Sequence, residues 1–499
     1  MEFIDHLAIG FSTALSWHNL AYCFAGVLLG TLIGVLPGLG PLATISMLLP
    51  LTFAMPPVTA LIMLAGIYYG TQYGGSTAAI LINLPGESSS VVTVLDGHAM
   101  ARQGRAGPAL AAAALGSFFA GSVATLLLAI FSPPLAKIAL NFGPPEYFSL
   151  LVLGLIASVA LASGSVIKAL AMCVLGVLFG LAGLDIYTGT LRLTFDLGML
   201  TDGINFVALA MGTFGICSVM QNLEKESDRS FVAKKVTGLI PTREDLRRII
   251  APILRGTALV SVLGVLPGGG AIISSFVAYA IERKVSKRPE EFGKGAIEGV
   301  AGPESANNAG AQTSFIPMLT LGIPSNPVMA LMVAALVIQG ITPGPTIVTE
   351  QPELFWGLVA SMWIGNLMLV LLNLPLIGMW VRLLRVPYHL LFPAILAFCC
   401  IGVYSVNNSL HDVYAMALFG IFGFILVKLD FEPAPLLLGF IIGPMLEESL
   451  RRVMLISGGD ITMLFRRPLA AMLLAIAALA LTVVLLPNIH KRRDEVFKE

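Results

Sequence analysis

Long apolar stretches recur along the whole chain, each closed by a short cluster of Gly, Pro or polar residues. In the first half they fall near 108–132, 146–162, 165–184 and 203–220. In the second they fall near 305–323, 327–341, 354–380, 388–404, 412–428, 433–446 and 468–487. Several approach the ~20 residues that carry a helix across a bilayer, and the shorter ones read as arms of hairpins. The ~10-residue alternating segments of a membrane β-barrel do not occur. The pattern predicts an all-α polytopic membrane protein with about 12 membrane segments.

Two of the breaks repeat. IGVLPGLG at 33–40 returns as LGVLPGGG at 263–270, and each is followed downstream by a second Pro-containing island. These are NLPGESSS at 83–90 and GIPSNP at 322–327. Pro37 maps onto Pro267 at an offset of 230, and Pro85 onto Pro324 at an offset of 239. The spacing predicts two internal repeats with broken helices: 1–220, then a charged linker at 221–250, then 251–487, then a tail at 488–499. Paired broken helices in matching positions point to a transporter's binding site.

Charge sets the orientation. Lys and Arg cluster at 221–255, at 283–294 and in the tail from Lys491 to Lys498. The positive-inside rule places all three, with the C-terminus, in the cytoplasm. Residues 256–282 must then leave the cytoplasm and return to it. Two arms of about a dozen residues reach ~18 Å each, short of a core about 30 Å thick. The segment is expected to be a re-entrant hairpin. The first copy has no flanking cation and is expected to enter from the other side, an inverted repeat, with a parallel duplication as the rival. The linker carries a helix start at Pro241-Thr242-Arg243-Glu244.

Composition narrows the class further. The chain has 499 residues, 57% hydrophobic and 12% charged, where a soluble protein carries about 25% charged residues. Its outer surface must therefore face lipid. Net charge is zero, so no nucleic-acid footprint is expected. Cys23, Cys173, Cys217, Cys399 and Cys400 all lie in apolar runs without metal-ligand or disulfide spacing. MEFIDHLAIG lacks the basic start of a cleavable signal peptide. No Walker A or HExxH sequence is present, and SGGD at 457–460 sits among arginines and reads as a surface loop. Neither an enzyme nor a cofactor is expected.

The candidate chemistry lies at the breaks. Carbonyls freed around Gly38, Gly40, Gly268 and Gly270 suit a small hard cation such as Na⁺, and freed N–H groups suit a carboxylate. The islands offer Asn83, Pro85, Gly86, Ser88 and Ser89 in the first copy, and Pro324, Ser325 and Asn326 in the second, as carboxylate contacts. Polar groups at membrane depth are costly and are functional candidates. Glu304, in AGPESANNAGAQT, has three readings: a helix-start charge, a cation ligand beside Asn307 and Asn308, or a proton carrier. Asp96-Gly97 reads as a turn. Glu447-Glu448 beside Arg451-Arg452 reads as a charged loop. Lys137 and Lys428 lie near span ends and are expected to snorkel. No permanent cation faces an anionic substrate, so helix N-termini and bound cations must supply the positive charge.

GTLIGVLPGLGP, YGTQYGGSTAAILINLPGESSS, LDGHAMARQGRAGPAL and AGPESANNAGAQTSFIPMLTLGIPSNP together resemble the large membrane subunit of the tripartite tricarboxylate transporters, over about residues 1–490. The resemblance implies a multi-pass secondary transporter of the bacterial inner membrane. It implies a small membrane subunit and a periplasmic solute-binding protein as partners, and a cation gradient, Na⁺, driving uptake of tricarboxylates or related organic acids. By analogy, two hairpins would meet at the substrate and move elevator-fashion. Ser325-Asn326-Pro327 stands where a smaller Gly-containing turn is expected, and Glu87-Ser88-Ser89-Ser90 also departs from the pattern. Both fall where substrate choice is set. The rival readings are a stand-alone H⁺-coupled carboxylate permease, a membrane-embedded lipid enzyme and a passive channel.

Overall fold

The computed structural model describes residues 2–36, 40–161, 165–185, 187–224, 236, 238–264, 271–384 and 388–485. The chain is helical almost throughout. The first half contains α1 (Glu2–Ala14), α2 (Trp17–Gly34), α3 (Pro41–Leu48), α4 (Pro57–Ile82), α5 (Val91–Arg102), α6 (Ala106–Ala139), α7 (Pro144–Leu161), α8 (Val166–Gly180) and α9 (Phe206–Glu224). The second contains α10 (Arg243–Leu263), α11 (Ala271–Val285), α12 (Glu298–Thr313), α13 (Phe315–Leu321), α14 (Pro327–Ile338), α15 (Pro352–Asn373), α16 (Ile377–Leu383), α17 (Tyr388–Asn407), α18 (Leu410–Lys428), α19 (Ala434–Ile456) and α20 (Pro468–Leu485). Five of the described helices, α2, α6, α9, α15 and α18, are long and apolar enough to cross a bilayer, and six shorter apolar helices accompany them. The protein is an all-α, multi-pass membrane protein.

The backbone punctuates both halves in the same way. α4 ends on Asn83 in the left-handed conformation (φ 61°), and α13 ends on Gly322 in the same conformation (φ 73°). Both residues open a polar island and stand at the offset of 239 that links Pro85 to Pro324. Downstream, α5 and α14 each close on a glutamine, Gln103 and Gln339, followed by a glycine of positive φ, Gly104 (81°) and Gly340 (74°). The next amide then reaches back, Arg105 N–H to Met100 O and Ile341 N–H to Leu336 O. Such caps satisfy carbonyls that the last turn leaves open.

Packing is reciprocal between the halves. α6 lies along α12, while α15 lies along α4. α6 also meets α10, as α15 meets α2. α14 packs on α3, and α11 packs on the Ser88–Ser90 turn and on α5. The main core fills the space between these helices with Tyr68, Tyr69, Phe315, Phe355 and Trp356, all buried.

Within the first half, α2 and α4 meet backbone to backbone. Gly26, Gly30 and Gly34 of α2 face α4, and Gly66, Gly70 and Gly74 of α4 face α2. A Cβ at Gly30 would stand 2.4 Å from the Ile67 carbonyl oxygen, and one at Gly70 would stand 2.6 Å from that of Val27. Only glycine fits such an approach, which is how small residues hold helices together in lipid.

The edges both support and correct the sequence reading. Thr242 caps α10 and forms a capping box with Asp245. α10 is longer than the expected hairpin arm: the polar stretch 243–255 extends it ahead of its apolar part. Arg248 there pairs bidentately with Glu298, and Arg255 pairs with Glu282. Glu447 and Glu448 lie in the helix α19 rather than in a loop, each pairing with the arginine one turn on. The spacing Glu-x-x-x-Arg is itself a helical one. β1 (Gly183–Leu184) and β2 (Leu191–Arg192) pair antiparallel. Asp185 and Glu447 share Arg192 and Arg451 beside them. Lys428 pairs with Glu224 at the ends of α18 and α9. SGGD is an exposed turn with Gly458 and Gly459 at positive φ.

Candidate functional site

One cluster of buried polar side chains lies where α4, α5 and the first island meet α12. α12 is an unusual helix: Glu304, Ser305, Asn307, Asn308, Gln312 and Thr313 are all buried on it. Glu304 lies well inside the helix and is 1% exposed, so it is not a helix-start charge. Its Oε2 accepts the Ser76 hydroxyl at 2.7 Å, and its Oε1 accepts the Thr93 hydroxyl. Asn308 donates to Ser117 Oγ at 2.7 Å and to the Glu304 carbonyl at 3.1 Å, which turns it toward α6.

The first island folds down onto this surface. The Gly86 N–H points to the Gly75 carbonyl at 3.4 Å, and a Cβ at Gly86 would stand 2.4 Å from the Gly34 carbonyl oxygen. A glycine at 86 thus lets the island lie against the end of α2 and the flank of α4 at Gly75. Glu87 is carried inward and is 8% exposed. Its Oε1 accepts Asn307 Nδ2 at 3.1 Å and the Ser89 hydroxyl. Ser89 also reaches Gln72 Oε1 at 3.3 Å. Two buried carboxylates from opposite halves therefore meet the same stretch of α12: Glu87 is bonded to Asn307, and Glu304 lies on that helix one turn earlier. Among the described residues neither meets a Lys, Arg or His. Two buried oxygens there, Asn307 Oδ1 and Ser90 Oγ, have no partner among the described residues.

The remaining candidates are placed as follows. Asn83 is exposed and serves as the left-handed cap of α4. Pro85 is half-buried beside it, and Pro324 is buried in the second island. Ser325 donates to the Ser314 carbonyl at 3.2 Å. Asn326 caps α14 through Met329 N–H at 3.0 Å and donates to Ser314 Oγ at 3.0 Å. Gly40 precedes α3, whose N-terminus carries no side-chain cap. Gly38, Gly268 and Gly270 lie outside the described residues, as does the Ser88 side chain.

Asp96 corrects the turn reading. It lies inside α5 and is fully buried. Its Oδ1 accepts three backbone N–H groups, from Gly293 (2.8 Å), Gly295 (2.8 Å) and Ala296 (2.9 Å), and its Oδ2 accepts the Tyr279 hydroxyl at 2.9 Å. The carboxylate fills a nest of amides just ahead of α12.

Sequence reasoning placed Glu304 and Asn307 at the centre but left out Glu87, Gln72, Ser76 and Thr93. One signal was present. Gly70-Thr71-Gln72 and Gly310-Ala311-Gln312 stand at an offset of 240, inside the two repeats.

Three comparisons bear on identity. The description "Tripartite tricarboxylate transporter TctA family" matches residues 20–438. A chain of Agrobacterium vitis, "Uncharacterized 52.8 kDa protein in TAR-I ttuC' 3'region", is 62% identical over 499 residues, covering 100% of this chain and 99% of its own. Another from the same organism, "Uncharacterized protein in TAR-II ttuC' 3'region", is 62% identical over 239 residues, 48% of this chain and 99% of its own. No solved structure matches.

Proposed function

Because the chain belongs to the tripartite tricarboxylate transporter TctA family, we propose that this large membrane subunit couples a Na⁺ gradient to the uptake of tricarboxylates or related organic acids. It works in the bacterial inner membrane with a small membrane subunit and a periplasmic solute-binding protein, its C-terminus in the cytoplasm. One observation carries the reading: carboxylates from both halves, Glu87 and Glu304, are buried at α12, and among the described residues neither has a basic partner. An isolated buried carboxylate is too costly to leave charged, so a mobile cation is the simplest group to hold the pair. The order of elements and the reciprocal packing support an internal duplication around this centre, and the inverted arrangement of the two copies is part of the proposal.

The substrate end of the reading rests on the islands. α3 and α14 begin where the islands and loops end, and their N-termini present positive dipole ends to an anion. Gly86, Ser88, Ser89, Pro324, Ser325 and Asn326 frame the carboxylates in this proposal, with Asn83 and Pro85 at the rim. Ser325 and Asn326 already bond to Ser314, so substrate entry exchanges those bonds for bonds to the ligand. The same two acids also favour a second reading, H⁺ as the coupling ion.

Uptake of radiolabelled di- and tricarboxylates into proteoliposomes decides between them. The liposomes hold this chain and its small partner, with the binding protein outside. Accumulation that needs an inward Na⁺ gradient is expected. Accumulation on a pH gradient alone would replace Na⁺ by H⁺, and none with any carboxylate would refute the substrate class.

A further inference from the structure

The two acids at the centre are not satisfied in the same way. Glu304 receives one hydroxyl on each oxygen, from Ser76 and Thr93. Glu87 receives both of its bonds, from Ser89 and Asn307, on Oε1. Beside it, two side chains keep an oxygen buried and, among the described residues, unbonded. Asn307, 1% exposed, spends its N–H on Glu87 and leaves Oδ1 without a donor. Ser90, 0% exposed, leaves Oγ without any partner. Both Ser90 Oγ and Glu87 Cγ crowd the same small residue, lying 3.1 Å and 3.0 Å from where a Cβ of Gly75 would be. A buried polar atom left unpaired is costly, and an amide oxygen can be satisfied only by a donor or a cation.

We propose that Glu87, Ser90 and Asn307, with Glu304 alongside, form the binding site of one dehydrated Na⁺, and that Glu87 is its principal anionic ligand. This rests on the cation-coupled reading and deepens it. Every donor at the site is an oxygen, which suits a hard cation and excludes thiolate- and imidazole-loving metals. The ligands come from both halves: Glu87 and Ser90 from the first island and its turn, Asn307 and Glu304 from α12. The ion therefore fastens the first island to the second half. It also brings a positive charge to the island that carries the proposed carboxylate contacts, where no fixed cation exists among the described residues.

Na⁺ binding to the full-length protein in detergent tests this without transport. Thermal unfolding is followed while NaCl replaces choline chloride at constant ionic strength, with KCl, CaCl₂ and pH series alongside. Na⁺ is expected to raise the midpoint of the unaltered protein in a saturable way. Asn307→Ala and Ser90→Ala are expected to weaken the apparent affinity about tenfold, the loss of one ligand, and Glu87→Gln by at least that much. Ser90→Ala removes one oxygen from a small side chain and keeps the test open if Glu87→Gln does not fold. Unchanged Na⁺ affinity in Glu87→Gln and Ser90→Ala, or stabilisation that follows pH or Ca²⁺ and not Na⁺, would overturn the site. Uptake by the same preparations separates the two levels. Na⁺-dependent uptake with unchanged Na⁺ binding in the variants moves the site elsewhere and leaves the function standing. No Na⁺ effect on either binding or uptake removes the cation-coupled reading itself.

Discussion

Replacing Asp96 is predicted to unfasten the segment ahead of α12. In the structure one buried carboxylate satisfies three backbone amides and a tyrosine hydroxyl. Asp96→Ala leaves all four donors without their acceptor. A buried donor left unmatched costs about 1–3 kcal/mol, and partial access of water to the loop recovers some of it, so a net loss of about 3–5 kcal/mol is expected. Asp96→Asn is milder. Its amide oxygen can still take the Gly293, Gly295 and Ala296 N–H groups, but its NH₂ then faces Tyr279, whose hydroxyl must turn to accept. That variant is expected to lose about 1–2 kcal/mol. The assay has two readouts. Thermal unfolding in detergent gives the order wild type, Asn, Ala. Limited trypsin digestion with mass spectrometry gives the location, since Arg283, Lys284, Lys287, Arg288 and Lys294 flank the nest. Faster cutting there, with other sites unchanged, is expected for Ala. An Asp96→Ala protein with the wild-type midpoint and cutting pattern would refute the reasoning.

Two further outcomes are expected. Gly30→Ala and Gly70→Ala each force α2 and α4 apart and should lower stability by about 1–3 kcal/mol in thermal melts. Because the two sites lie on one seam, the double variant should depart from the sum; wild-type melts for both single variants would refute the close approach. The Asp185 carboxyl is held down at about 2, below its ordinary 3.8, first by the Thr188 hydroxyl and then by Arg451, the Tyr187 amide and Arg192. A lowered folded-state value means that stability is present above pH 4 and is lost as pH falls toward 2. Melting midpoints measured across that window should fall less steeply in Asp185→Asn than in the unaltered protein, and equal slopes would contradict the pairing.

What the sequence disclosed and what it hid divide along one physical line. Breaks in the backbone are legible because Pro and Gly act locally and recur at matching places, as in Pro37 with Pro267 and Pro85 with Pro324, whose islands open on the left-handed caps Asn83 and Gly322. Thr242 was legible as a cap for the same reason. Partners distant in the chain were not. Asp-Gly is a local turn signal, yet the groups that hold Asp96 in a helix lie near residue 295. Glu87 looked like one acid in a serine-rich turn because Asn307, which gives it a role, is 220 positions away. Charge alone makes Glu447 and Glu448 read as a loop, whereas their four-residue spacing to Arg451 and Arg452 is that of a helix.

The glycine-lined contact between α2 and α4 has a mechanical consequence. Where carbonyls meet α-carbons there are no rotamers to exchange, so the two helices cannot slide by repacking side chains. They behave as a single double-walled strut. α4 runs for 26 residues, about 39 Å of helix, and the first island is mounted at its end. Any shift of Glu87 and its neighbours that carries α4 along must therefore be transmitted to α2, to the chain near Trp17 at one end and to the Val35-Leu36 turn at the other. Relative motion of α2 and α4 is thereby confined to the joints at the strut's ends.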